Sequence, residues 1–292
     1  VLAAREVDWM DAFAFRIPIA LTLDILSIPR DDAMTVKAWA DESISLLSGV
    51  NTKWQLALKV LNGFRFVKWC RRQFDEAARR DPQPGFMMGA LIDAVRDGAM
   101  TREEAAATVL QIIIAGSDSS ASLMGSMVRL LAQNPGIQES LRADPSLVPN
   151  FVEETLRLES PFQGHFRKTK VPVELHGERL PVNARVMLLW ASGNRDPRKW
   201  PDADQIDLQR AGARQHLGFG HGIHLCLGAP IGRMEGRIAL EQLLERTDWV
   251  ELDGDDFPHR QSVFVRTLER LPIKVHPKKA ASVHNVSASG GL

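Results

Sequence analysis

The 292-residue chain has no tyrosine, only two cysteines, no excess of either charge and no long apolar run. Cys70 and Cys226 allow at most one disulfide, which excludes a densely cross-linked secreted scaffold. The first residues show no basic start, apolar stretch and small-residue cleavage site, so a reducing cytoplasm is the expected location. Lys plus Arg and Asp plus Glu each total 36. No net field therefore draws the chain to nucleic acid or to an anionic membrane, and a charged partner has to be met by a local patch. Apolar runs such as residues 186–191 are far too short to cross a bilayer, so a soluble chain with no nucleic-acid or membrane partner is expected. The lack of tyrosine has no functional account.

What is present is ordinary globular material, 45% hydrophobic and 25% charged, long enough to bury a sizeable core. The first hundred residues read as amphipathic helices separated by breakers at residues 28–32, 81–85 and 97–98. Thr101-Arg102-Glu103-Glu104 is a capping box, and no proline follows until Pro135. One helix of about 33 residues, roughly 50 Å long, is expected there. Another follows Asp144-Pro145 and reaches about Glu159. Pro161, Pro172, Gly177 and Pro181 then break up short β-prone runs such as residues 185–189 into a small sheet. Residues 194–222 are irregular, and residues 229–246 are helical again. The fold class expected is mainly α with a small β region, and the tail 278–292 is expected to be disordered.

The most informative segment is Phe219-Gly220-His221-Gly222-Ile223-His224-Leu225-Cys226-Leu227-Gly228. Its glycines let backbone approach a flat ligand closely. A cysteine at a helix N-terminus meets amide groups and the positive end of the dipole, which favours the thiolate, a ligand for iron. Glu154 and Arg157 stand three apart and share one helical face, where they can pair. In mid-helix, after Ile112-Ile113-Ile114, lies the small and polar stretch Ala115-Gly116-Ser117-Asp118-Ser119-Ser120. Hydroxyls there can bond back to the carbonyl four residues earlier and bend the helix, while small residues serve helix packing equally well.

The Cys226 segment resembles the haem-binding loop of the cytochrome P450 family, matching Phe-Gly-x-Gly-x-His-x-Cys-x-Gly at every fixed position. Glu154 and Arg157 resemble that family's Glu-x-x-Arg. Asn194-Arg195-Asp196-Pro197, Trp200-Pro201-Asp202, Asp207 and Arg210 resemble its meander, with Ile206 where phenylalanine is commoner. Ala115 to Ser119 resemble its Ala/Gly-Gly-x-Asp/Glu-Thr, with serine in place of threonine. Leu26-Ser27-Ile28-Pro29 looks like its Leu-Gly-Val/Ile-Pro turn.

The resemblance runs from about Val7 to Pro277. It implies a haem domain over residues 1–277 that lacks the N-terminal portion of the family's fold and has haem b as cofactor. It implies that Cys226 is the axial iron ligand, that Phe219, Gly220, Gly228 and Ala115 lie against the cofactor, and that His224 and Arg167 meet its propionates. Asp118 and Ser119 are then the acid–alcohol pair that delivers protons to dioxygen as it is reduced. Glu154 and Arg157 are structural, and Ile113, Phe162, Gln163 and Phe264 are candidate pocket residues for an apolar organic substrate. The activity implied is insertion of one oxygen atom of O2 into that substrate, with electrons from a separate ferredoxin and ferredoxin reductase. Arg210, Arg214, Arg233 and Arg237 are candidates for the docking patch. A peroxide-driven enzyme and a non-catalytic haem or ligand binder are the rival readings.

Overall fold

A computed structural model describes residues 6–46, 51–80 and 87–278. The breaker at residues 81–85 and all but the first residue of the expected tail lie outside them. The chain forms β1 (Glu6–Asp8), a π-helical turn (Met10–Ala14), α1 (Arg16–Ile25), α2 (Ala33–Leu46), α3 (Lys53–Arg79), α4 (Met87–Arg96) and α5 (Arg102–Gln133). There follow α6 (Pro135–Ala143), α7 (Val148–Glu159), β2 (His165–Lys168), β3 (Val173–Leu175), β4 (Glu178–Leu180), β5 (Arg185–Leu188) and the single turn α8 (Trp190–Gly193). After an irregular stretch come α9 (Ala229–Arg246), β6 (Thr247–Leu252) and β7 (Pro272–Pro277).

The long helix starts and stops where local chemistry dictates. The Thr101 hydroxyl accepts from the Glu104 amide at 3.2 Å, and the Glu104 carboxylate accepts from the Thr101 amide at 2.7 Å, closing the capping box. Asn134-Pro135 ends α5 because proline cannot continue the amide ladder and disfavours helix in the residue before it. Thr52 and Gln55 form a second box at the start of α3, the same signature with glutamine.

The strictly helical reading of the first hundred residues is corrected at β1. Glu6, Val7 and Asp8 pair antiparallel with Lys274, Ile273 and Pro272, giving a sheet of order β1-β7-β6. Three residues whose partner lies over 260 positions away leave no local pattern to read. The small sheet expected in the middle of the chain is present as two hairpin-like pairs, β2 with β5 and β3 with β4.

Two hydrophobic clusters meet along α5. Its C-terminal half carries Met124, Met127 and Leu131 into a cluster with Trp9 and Met10, Phe151 of α7, Leu240 and Leu243 of α9, and Val250 and Ile273 of the sheet. Its N-terminal half carries Val109 and Ile113 into a second cluster with Ile19 and Leu23 of α1, Phe66, Trp69 and Phe74 of α3, and Met88 of α4. Each fully buried Leu, Ile or Phe contributes roughly 1.5–3 kcal/mol, so α5 is the element on which both halves depend. Cys70 belongs to the second cluster, and burial pushes its thiol up to about 12. Both cysteines are free.

Candidate active site

Gly220 and Gly222 both sit at positive φ, +73° and +70°, a region that side chains strain to occupy. These two reversals turn the loop out from the body and back into α9. The Cys226 amide donates to the Phe219 carbonyl at 2.8 Å, closing the loop at its neck. Cys226 is exposed, and its apolar neighbours are as well: Ile223 at 97%, Leu227 at 85%, and Leu225. Apolar side chains flanking a lone thiol on a surface mark a binding face. Phe166, on the strand that carries Arg167, is exposed too.

Behind the loop lies a buried charged framework. Arg157 and Glu154 are fully buried. The Arg157 guanidinium uses all five of its N–H groups: Nε and Nη2 donate to Glu154 at 2.7 and 3.0 Å, and the rest go to the carbonyls of Asn194, Ala203 and Gln205 at 2.6–2.9 Å. Glu154 also accepts from the Asp207 amide and from Arg210 Nε, each at 3.0 Å. Burial opposes ionisation of Glu154, but these donors outweigh it and hold the carboxyl below its usual range. The irregular segment 194–210 is thereby tied to α7 by hydrogen bonds rather than by secondary structure of its own.

A second buried carboxylate went unnoticed in the sequence. Glu153 accepts from Arg233 Nε at 2.7 Å and Nη2 at 3.1 Å, and meets His216 Nε2 at 3.0 Å. Arg233 stacks 4.6 Å over the Phe219 ring, and the His216 ring lies 5.7 Å from it. Glu153 thus steadies Phe219, whose carbonyl holds the Cys226 amide. The signal was the doubled glutamate: successive residues on α7 point about 100° apart, so two carboxylates reach two different parts of the segment below the loop.

The small-polar stretch of α5 shows both a hydroxyl back-bond and close helix packing. A side chain on Gly116 would meet Thr22 Oγ1 at 2.8 Å, so this glycine is needed for α1 to pack on α5. Ser119 Oγ donates to the Ala115 carbonyl at 2.8 Å, the back-bond to the preceding turn, and Ala115 itself is exposed. Asp118 is buried. Its Oδ2 accepts from Thr267 Oγ1 at 3.1 Å, while Oδ1 stands 3.6 Å from Lys37 Nζ and 3.5 Å from Arg260. Lys37 and Arg260 also pair with Asp41, and Asp41 and Arg260 are partly exposed, so the network reaches from Asp118 to solvent. Burial pushes the Asp118 carboxyl up in spite of these cations.

The remaining candidates fall in varied settings. His224 and Arg167 are exposed, and Arg167 Nη1 bonds only to the neighbouring Phe166 carbonyl at 2.9 Å. Phe162 bridges Val265, and Phe264 meets Phe166 edge-on at 5.7 Å, so both stand beside β2 half-buried. The Gln163 amide donates to the carbonyls of Glu159 and Ser160, which ties it to the end of α7. Ile113 is fully buried in the second cluster, where it serves as core. Of the four candidate docking arginines, Arg210 is bound to Glu154, Arg233 to Glu153 and Arg237 to Glu241, while Arg214 stands 3.5 Å from Glu153 and remains largely exposed.

α9 returns to α5 through Glu235, whose Oε2 accepts from Ser120 Oγ at 2.5 Å. Burial raises this carboxyl to about 7. The folded protein then holds a proton that the unfolded chain releases near its ordinary value, so stability falls as pH rises from about 4.5 to about 7 and stays low above. Glu235→Gln removes that penalty, worth roughly 3 kcal/mol at about 1.4 kcal/mol per tenfold in proton affinity. Denaturation series across this range should show the wild type losing stability relative to the variant; parallel profiles would contradict the assignment.

Among the described residues no cluster of His, Cys, Asp and Glu could hold a metal ion by itself. A lone exposed cysteine suits a metal whose other ligands come with a macrocycle. Its exposed thiol, the apolar residues beside it and the glycine reversals that present it fit a flat, hydrophobic iron macrocycle.

Comparison with known proteins agrees. The cytochrome P450 family profile matches residues 45–146 and 143–275. Cytochrome P450 144 of Mycobacterium tuberculosis is 37% identical over 274 residues, covering 92% of this chain and 61% of that protein. The vitamin D(3) 25-hydroxylase of Pseudonocardia autotrophica is 33% identical over 278 residues, covering 94% of this chain and 67% of that protein. The crystal structure of P450BioI in complex with an acyl carrier protein superposes with a TM-score of 0.88 at 29% identity, over 94% of this chain and 70% of that one. The chain belongs to the cytochrome P450 family, whose members bind haem b. It spans about three-fifths of the length of the first of these relatives.

Proposed function

We propose that the chain carries the haem-thiolate machinery of a monooxygenase that inserts one oxygen atom of O2 into an apolar organic substrate and reduces the other to water. Electrons would come from a separate ferredoxin and its reductase. The observation that carries this reading is Cys226, a solitary exposed thiol held at a helix start by the Phe219 carbonyl. When bound, the haem supplies the iron at which O2 is reduced, and thiolate ligation favours cleavage of the oxygen–oxygen bond.

The chain's own residues would then hold the group and manage protons. Cys226 would bind the iron, Phe219, Gly220, Gly228 and Ala115 would flank the macrocycle, and His224 and Arg167 would pair with its propionates. Asp118 is the inner station of a charged network whose outer members, Asp41 and Arg260, touch solvent. It can take up a proton there and pass it on, with the neighbouring Ser119 hydroxyl, held at the Ala115 carbonyl, as the final donor. Phe162 and Phe264 supply apolar surface for the substrate.

The test is turnover under 18O2 with NADPH, ferredoxin and reductase. One labelled atom in the product is the expected outcome. Label absent from product, or turnover driven by hydrogen peroxide alone, would refute the reading. The Ser119 hydroxyl lacks the methyl that restricts the threonine rotamer, so Ser119→Thr should cut peroxide released per NADPH by roughly half. Equal yields would remove the rotamer argument.

A further inference from the structure

The chain has no tyrosine and seven tryptophans, so its readily oxidised aromatic side chains are indoles alone. Their N–H groups are placed differently. Trp9 and Trp200 donate to the carbonyls of Met124 and Gly193 at 3.2 and 3.1 Å, and Trp69 to the Asp32 carboxylate at 3.3 Å. Among the described residues, Trp190 alone donates to a nitrogen base, its Nε1 lying 2.8 Å from His165 Nδ1. An indole N–H only donates, so Nδ1 is the acceptor and the neutral imidazole carries its own proton on Nε2. The Phe162 ring lies 5.3 Å and the Trp190 ring 6.3 Å from that of His165. Partial burial beside these rings, and then the charge of Arg167, push the imidazole below its ordinary range, which leaves Nδ1 unprotonated at neutral pH. Side chains alternate along a strand, so on β2 His165 shares one face with Arg167 while Phe166 takes the other. Pairing of β2 with β5 sets Leu188 opposite His165, and Trp190 follows two residues later.

We infer that Trp190 and His165 form a proton-coupled electron donor beside the haem, draining oxidising equivalents that miss the substrate; this rests on the reading that Cys226 holds haem with Arg167 at a propionate. The oxidant is hydrogen peroxide, the by-product expected of the less restricted Ser119 hydroxyl. Its reduction to two waters at the iron consumes two electrons and two solvent protons. The haem yields one electron and the Trp190 indole the other. As that electron leaves, the indole N–H turns acidic and its proton crosses to His165 Nδ1, giving a neutral indolyl radical and an imidazolium. A one-electron reductant such as ascorbate then restores the indole as His165 returns the proton. Hydrogen-bond chemistry singles out this pair. A carbonyl, the acceptor at Trp9 and Trp200, takes no proton, and a carboxylate, the acceptor at Trp69, is a far weaker base than an imidazole. Trp69 moreover lies in the core cluster that α3 shares with α1 and α4. His165 is exposed and Trp190 half-buried, so both are open to the small reductant that resets them.

The test is to load the chain with haem, add hydrogen peroxide without substrate, freeze within milliseconds and record electron paramagnetic resonance. Expected is an organic radical whose signal narrows when the tryptophan rings are deuterated; with no tyrosine in the chain, no phenoxyl signal overlaps it. Trp190→Phe should lose that signal. His165→Gln should lose it as well, because the glutamine carbonyl accepts the indole hydrogen bond but is no base, whereas a merely structural role would be rescued by it. Under peroxide the Soret band should bleach several-fold faster in both variants, while their melting temperatures and reduced carbon monoxide spectra stay those of the parent. A parent that never shows the thiolate band would end the haem reading and this inference with it. With the band present, no tryptophan radical, or equal signals and bleaching rates in parent and variants, would overturn the inference alone. So would a signal that survives in His165→Gln, since the proton would then have another destination.

Discussion

Cys226→Ala should abolish the red-shifted Soret band of the dithionite-reduced, carbon monoxide-treated protein, and with it all O2-dependent turnover. The loop itself should survive. Its neck is a backbone bond from residue 226 to Phe219, and its course is set by Gly220 and Gly222, none of which involves sulfur. The variant is therefore expected to keep its melting temperature without haem while losing the thiolate signature with it. That separation is informative, because a folding defect would move both. The imidazoles of His221 and His224 lie in the same loop, but nitrogen ligation would not restore the red-shifted thiolate band. A retained thiolate band in Cys226→Ala would sink the assignment of the axial ligand.

The second large effect is expected at Arg157. Arg157→Met fills much of the space but leaves Glu154 buried with Arg210 as its remaining cation, and removes the donors of three carbonyls in the segment 194–205. Breaking a buried pair by deleting one partner costs about 3–5 kcal/mol. The variant should unfold at markedly lower denaturant and fail to retain haem. Arg157→Lys keeps the charge, yet an ammonium cannot reproduce a planar fork with five donors, so it should recover only a minor part of the loss. Near-parental stability of Arg157→Met, measured by urea denaturation, would mean that the irregular segment is held by something other than this guanidinium.

Legibility in the sequence tracked how local each cause is. The Cys226 loop could be read because its turns, its thiol and the following helix lie within about a dozen consecutive residues. The bounds of α5 could be read because one capping box starts it and one proline stops it. The Glu154–Arg157 pair was visible as spacing on one helix. Its completion was less so: in the sequence Arg210 fits both the end of the meander and a surface docking cation, and only the fold shows it consumed by Glu154. Asp118 was legible as a mid-helix acid, but not its partners Lys37 and Arg260, which approach from α2 and from the segment before β7. The Glu153–His216–Arg233 group escaped for the same reason, since its members are 63 and 80 residues apart. The exposed apolar residues of α3, Trp54 and Leu58 among them, escaped for a different one. Periodicity reveals that a helix has two faces, and only packing tells which of them is turned to the core.

The pairing of β1 with β7 also bears on how the chain reaches this state. Joining Glu6 to Lys274 closes a loop of nearly the whole described chain. The entropy of such closure grows only slowly with length, about 0.6 kcal/mol per doubling, but it has to be met before the contacts that reward it form. Helices α1 to α5, with their neighbour-to-neighbour packing, can assemble without it. The order of events that follows is helices first and the β1-β7-β6 sheet last, so native-state hydrogen exchange should find the amides of Glu6 to Asp8 opening well before those in the middle of α5.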